Sequence, residues 1–417
     1  MTLLSLGDFI NQYRQKENVT LSQLAELSGV RKDVLSKIEK GETKQPAFHT
    51  WKKLCGVLEI PYPFIIISFI ETTDNPETLK LLLEESIQNH YETLAQKSAK
   101  ALFESPKIDT FIALDYVLQR SITLDNTKIK SLLFETIITY SRSHGIPLYL
   151  AKTLSERYLL ERDDFSCLEE TYQRGIELTH YSEHLHPHDY IQFHYRIGIH
   201  AYALQKYDEC IHFCKNAFER DESDNPLRAE ALTAVIGAYL YLDDTILAEV
   251  YLKEYKKSQF ADFKQNHIQA MIHSKNGQYD KSIKLYKELL NSVDKERRIS
   301  IVVDLIEDCL RVGNTDTVRE LIASETSFLP STPIKNPRRL EKLAKYYKLK
   351  GFYNFSIEKF EEGIHHTLDS AAIFKQIGQH KETMNCVGLA LRSIDENDRG
   401  ISSQIIEKIS NICNDSK

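Results

Sequence analysis

No stretch of this chain is long and apolar enough to cross a bilayer as a helix. The most hydrophobic segment, Ile60 to Ile70, is short and carries Pro61 and Pro63, whereas a membrane-spanning helix needs about 20 apolar residues. The start of the sequence lacks a cationic stretch followed by an apolar run, so a cytoplasmic location is expected. Cysteine is scarce and odd in number, seven residues with no Cys-x-x-Cys pair. Cys210 and Cys214 fall one helical turn apart, and reduced, packed thiols are expected in place of a disulfide framework. Also missing are Gly-x-x-x-x-Gly-Lys, His-Glu-x-x-His and Gly-x-Ser-x-Gly. The hydrolase classes that depend on them have no support, and neither an enzyme activity nor a cofactor is expected.

Histidines do gather at His184, His186 and His188 around Pro187, with His180, His194 and His200 close in sequence. Without a matching frame of cysteines or carboxylates this reads as a polar loop between helices, a metal site being the weaker alternative.

What is present is a soluble globular composition: 417 residues, 42% hydrophobic, enough for two or three domains. Charge is divided unevenly. Residues 1–66 hold nine Lys+Arg against seven Asp+Glu, a net of +2, and the remainder holds 44 against 53, a net of −9. Only the small first segment has a balance suited to a polyanion, and +2 is low enough that one copy would grip DNA loosely, so a dimer is expected.

That segment spells two short helices joined at a glycine. Thr20 is placed to cap a helix with Leu21, Leu24 and Ala25 inward, and Gly29 supplies the positive φ of a sharp turn above Val30. A second helix, Arg31 to Glu39, puts Val34, Leu35 and Ile38 inside and leaves Arg31, Lys32, Asp33, Ser36 and Lys37 outside. Flanking helices over Leu4 to Glu17 and His49 to Glu59 complete a four- or five-helix core. The offsets Thr20, Leu24-Ala25, Ser28-Gly29-Val30, Leu35 to Gly41, Pro46 and Leu54 to Ile60 resemble the Cro/C1-type helix-turn-helix. The resemblance implies base contacts from Lys32, Asp33 and Lys37 and phosphate contacts from Thr20, Ser22, Arg31, Lys40 and Lys44, with Ser36 on the same outward face. The chemistry agrees, since lysine donates to guanine O6 and N7 and aspartate accepts from the cytosine amino group.

After a connection over 67–76 the chain reads as an all-α array from 77 to 417. A small residue recurs at Leu168, Cys210, Ala248, Ser282, Val318 and Ser356, spaced 34 to 42 residues apart. Tyr207, Tyr279 and Tyr353 stand three residues ahead of it, and Gly277, Gly313 and Gly351 are read as opening the turns between helices. This is the signature of degenerate tetratricopeptide repeats, helix pairs that stack into a right-handed superhelix with the first helices lining a concave groove. Helices at Thr110 to Gln119 and Lys128 to Ser141 extend the pattern toward the first domain, and a long helix is expected from Asn354 to Gln376.

A Cro/C1-type domain followed by such repeats resembles the RRNPP group of peptide-sensing regulators, of the NprR, PlcR, Rgg and arbitrium-receptor kind. The resemblance implies a regulator whose repeats bind a short signalling peptide that changes dimer geometry and DNA affinity. The register then gives Gln192, Tyr195, Tyr202, Thr233, His267, Arg338, Asn385 and Arg392 as peptide contacts, with Glu230, Lys264, Ser274, Glu341, Lys345 and Lys348 on the same face. Amides such as Gln192 and Asn385 suit a peptide backbone, and Arg338 or Arg392 a terminal carboxylate. Two alternatives stay open: a Rap-like module acting on a response regulator, and a repressor that uses its repeats only to dimerise.

Overall fold

The structure, a computed structural model, describes residues 6–43, 46–330, 332, 334, 336–396 and 403–414. Every regular element among them is helical. Two compact units share the chain: one takes residues up to 161 together with 174–185, the other 162–173 and 186 onward.

The first unit begins with α1 (Leu6–Lys16), α2 (Leu21–Ser28), α3 (Lys32–Glu39), α4 (Phe48–Val57) and α5 (Tyr62–Thr72). Ile10, Leu24, Leu35, Ile38, Trp51 and Leu54 are fully buried between them. Five more helices follow: α6 (Pro76–Gln88), α7 (Glu92–Glu104), α8 (Thr110–Ile122), α9 (Thr127–Ser143) and α10 (Pro147–Glu161). The stretch expected as a linker, 67–76, is helix through Thr72. The apolar run after Pro63 has a buried face of Ile65, Ile66 and Phe69, which makes it core material. One continuous hydrophobic cluster therefore runs from Ile10 through Leu79 and Leu83 to Tyr149. Glu85 of α6 ties it further, accepting from Lys52 Nζ and from the Tyr62 hydroxyl, each at 2.7 Å.

The helix α11 (Leu168–Thr179) has residues in both units, and the second unit continues as helix pairs. These are α12 (Pro187–Ala203) with α13 (Tyr207–Phe218), α14 (Pro226–Tyr241) with α15 (Thr245–Tyr255), and α16 (Lys264–Lys275) with α17 (Tyr279–Leu290). Next come α18 (Lys295–Arg311) with α19 (Thr315–Ala323), α20 (Pro337–Ser356) with α21 (Phe360–Gln376), and α22 (His380–Glu396) with α23 (Ser403–Cys413). First helices start by local chemistry: Asn225 and Asn336 accept from backbone N–H groups of the opening turn, and Pro226 and Pro337 occupy the position where a missing N–H costs nothing.

Turns within the five pairs from α12 to α21 follow one rule. Two residues after the first helix ends a residue adopts positive φ, and two residues later the next helix begins: Gln205, Asp243, Gly277, Gly313 and Glu358, at φ between 59° and 73°. The register from sequence is corrected at both ends of the array. The turn after α20 is made by Glu358, while Gly351 lies inside α20, where a Cβ would overlap the Thr367 hydroxyl. The single helix expected over 354–376 is thus the end of α20 and all of α21. The small fourth residue of its second helix is Gly363, where Ser356 was expected. In α11 the corresponding residue is the buried Thr171 and not Leu168.

Candidate functional site

At the first end of the molecule, Thr20 and Gln23 form a reciprocal cap. The Thr20 hydroxyl accepts from the Gln23 N–H at 3.3 Å, and the Gln23 side chain accepts from the Thr20 N–H at 2.9 Å. Gly29 closes α2 at φ 65°, and the buried Ser28 hydroxyl accepts from the Val30 N–H at 3.3 Å. The chain is thereby turned directly into α3, whose Leu35 and Ile38 plug the core.

Thr20, Ser22, Arg31, Lys32, Asp33, Lys37 and Lys40 are exposed and Ser36 is half-buried. Lys44 lies outside the described residues. Asp33, the one anion among them, is held by Arg31: Nε donates to Oδ1 at 3.0 Å and Nη2 to Oδ2. That hydrogen bonding keeps the Asp33 carboxyl below the usual range. It also stands in the first turn of α3, where the helix dipole favours an anion. Lys32 and Lys37 are the exposed cations of α3 outside that pair. The capping partner Gln23 escaped the sequence reading, although a Gln three residues after Thr20 is itself a legible signal.

The second unit contains a cavity of about 890 Å³. Its walls come mainly from the first helices α12, α14, α16, α18 and α20, with Gln205 and Tyr207 from the turn into α13. Of the expected groove residues, Tyr202, Thr233, His267 and Arg338 line it, as do Glu230, Lys264 and Glu341. Arg338 Nη2 donates to the Ile199 carbonyl at 3.0 Å, and its guanidinium lies 4.7 Å from the centre of the Tyr202 ring. Burial pushes the Tyr202 phenol up. Lys345 reaches the Tyr241 hydroxyl at 3.2 Å, so α20 touches both α12 and α14.

Below the wall, Asp304 of α18 accepts from His267 Nε2 at 2.7 Å and from Lys342 Nζ at 3.0 Å. Burial opposes its ionisation, but Lys342 and His267 outweigh that and hold the carboxyl well below the usual range. The sequence reading placed no groove residue on α18, and it missed Lys342 and Arg339 as well.

Four expected contacts lie elsewhere. Tyr195 is fully buried, its hydroxyl donating to Asp221 at 2.9 Å, because that face of α12 packs on α13. Gln192 is engaged with His188 and Arg196. Asn385 and Arg392 are exposed on α22, donating to Glu382 and to the Gly388 carbonyl. Ser274 bonds the buried Asp308 and Lys348 pairs with Glu382. Among the histidines, His194 packs on Tyr190 and His200 Nε2 bonds the Leu168 carbonyl at 2.9 Å. Among the described residues no three His, Cys, Asp or Glu side chains stand together as a metal-binding group, and no helix is long and apolar enough to cross a membrane.

A capped pair of short helices joined at a left-handed glycine, with exposed lysines in the first and last turns of the second, has the form of a helix-turn-helix. The helix-turn-helix family model HTH_3 matches residues 10–65. Over 105 residues the chain is 31% identical to the uncharacterized HTH-type transcriptional regulator RghRB of Bacillus subtilis strain 168, covering 24% of this chain and 76% of RghRB. The chain belongs to the HTH-type transcriptional regulators, and it is a DNA-binding transcriptional regulator with tetratricopeptide-like repeats. Among solved structures it is similar to a tetratricopeptide repeat protein from Parabacteroides merdae, at 13% identity and TM-score 0.49, over 65% of this chain and 98% of that one. It is also similar to Bacillus thuringiensis PlcR in complex with the peptide PapR7 and DNA, at 14% identity and TM-score 0.29, over 92% and 99% of the two chains.

Proposed function

We propose that this regulator is a cytoplasmic homodimer that binds a short linear peptide in the cavity of its repeats, and that occupancy resets its affinity for DNA. The observation carrying the reading is the cavity itself. Five first helices line it with tyrosines and charged side chains, many of them paired, at the upper end of the size range of ligand pockets. The two DNA-reading helices of a dimer must sit about 34 Å apart, or a multiple of the helical repeat, to engage both half-sites. Helix pairs that shift around a ligand alter that spacing. Ile10 to Tyr149 contribute to one hydrophobic core, which favours movement of the DNA-reading helices together with the helices α6 to α9 that follow them.

The test is a gel shift of the purified protein on DNA flanking its own gene, with and without peptides encoded beside it, together with thermal melts. A peptide that raises the melting temperature and changes the shift supports the reading. DNA binding that ignores every peptide favours a repressor that is not peptide-controlled.

A further inference from the structure

The cavity wall is cationic within an acidic part of the chain. Residues 67–417 carry an excess of carboxylates, yet the lining holds six Lys and Arg against four Asp and Glu. Several of these charges already have partners. Arg339 faces Glu296 at 3.4 Å, Arg297 faces Asp294 at 3.8 Å, Lys342 bonds Asp304, and Glu341 is bridged by Lys345 at 2.7 Å.

Arg338 differs. Among the described residues it forms no ion pair; it donates to a neutral backbone carbonyl, that of Ile199, and lies against Tyr202. A guanidinium has five N–H donors in a planar fork that matches a carboxylate. Lys342 stands four residues on, so both side chains rise from the same face of α20 into the lining. Like charges at that spacing repel. Arg338 and Arg339 also occupy the first turn of α20, which contains no acidic residue and where the helix dipole disfavours cations. An anion seated there relieves both conflicts.

We infer that the cavity takes its ligand through a carboxylate held between Arg338 and Lys342. The inference rests on the peptide reading and specifies its chemistry: the carboxylate is the peptide's C-terminus or an Asp or Glu side chain. A carboxylate is a stronger acceptor than an amide carbonyl. The ligand therefore competes with Ile199 for Arg338, and so for the contact that joins α20 to α12.

Three pools of random heptapeptides test this by equilibrium dialysis against the full chain, read by mass spectrometry. One has free C-terminal acids and no Asp or Glu, one is amidated with a single Glu, and one is amidated with no acid. The first or second pool is retained, which identifies the source, and the third is not. Arg338→Gln weakens retention by about tenfold or more, Arg338→Lys weakens it less, and Lys284→Gln, at an exposed residue outside the lining, leaves it unchanged, with thermal melts checking that each variant is folded. Retention of the third pool equal to the others overturns the carboxylate while the peptide reading stands, and so does full retention by Arg338→Gln. Retention of none by the unaltered protein removes the peptide reading and this inference with it.

Discussion

Arg14 and Glu39 form a two-pronged ion pair, Nε to Oε1 at 2.6 Å and Nη2 to Oε2 at 2.7 Å, that fastens α1 to the last residue of α3. The side chains are only 15% and 8% exposed, and Arg14 spends a third donor on the Val19 carbonyl at 3.0 Å. The pair thus sets the tilt of the helix that presents Lys32 and Lys37 without itself facing outward. Glu39→Gln is expected to lower the stability of the DNA-binding domain by about 2 kcal/mol, because a charge-assisted bond is lost while Arg14 stays largely out of water. It should also weaken DNA binding, although the Glu39 side chain is turned inward against Arg14. Urea denaturation of the variant checks the first, and an unchanged midpoint would sink the argument.

Asp33 restrains Arg31. With its carboxylate removed, Arg31 becomes available to a phosphate, and one more counterion is released on binding. Asp33→Ala is therefore expected to steepen the dependence of log affinity on log salt by about 1 and to tighten non-specific binding at low salt. Where Asp33 accepts from a cytosine amino group, the same variant loses about 1–3 kcal/mol of discrimination at that base pair. Titrations at several salt concentrations on cognate and scrambled duplexes separate the two; identical slopes would leave Arg31 without a role.

The helix-turn-helix was legible because its signals are local: a cap, a left-handed glycine and apolar residues one turn apart. The repeats were legible as a period but misplaced in register, for a physical reason. The turn requires a left-handed residue, and glycine was used to find it; yet Gln205, Asp243 and Glu358 take that conformation without being glycine, while Gly351 serves close packing of α20 on α21. The same shortfall explains Tyr195. Its position on α12 fits a groove or a helix-helix seam equally well in one dimension, and only packing on α13 decides between them. Asp304 was illegible because its role depends on residues 37 positions before it and 38 after it.

His200 gives the repeat unit a defined response to acid. The ring is 6% exposed and bonded to the Leu168 carbonyl, and burial pushes its pKa down from the ordinary 6.5 to about 4. Folding therefore favours the neutral ring. Its contribution is fully present above pH 6.5 and is lost as pH falls toward 4, because there the unfolded chain binds a proton that the folded chain refuses. The shift corresponds to about 3 kcal/mol at most. His200→Gln keeps a donor for Leu168 and removes the titration, so its stability should be flatter between pH 7 and 4.5. Parallel urea melts at those two pH values decide it; equal slopes for variant and parent would exclude His200 as the source.

Asp304 bonds two cavity residues at once, and its replacement should reveal whether the wall depends on it. His267 Nε2 donates to one oxygen of Asp304, while Lys342 is held through the other by one of its three N–H groups. Asp304→Asn retains the volume and one donor-acceptor match, but it leaves the ammonium of Lys342 without its counter-charge in a site where the partners are 13% and 25% exposed. The expected cost is about 3 kcal/mol at neutral pH, the penalty of a partly buried charge deprived of its partner. The sign with pH follows from the depressed carboxyl. Stability from Asp304 is present above the ordinary value of 3.8 and is lost as pH falls toward the lower folded value. The gap between parent and variant should therefore narrow in strong acid. A peptide that stabilises the parent should stabilise the variant less, since His267 and Lys342 are no longer fixed. Urea melts at pH 7 and pH 3, with and without such a peptide, measure all three. A variant as stable as the parent at pH 7 would show that the wall holds its shape without Asp304.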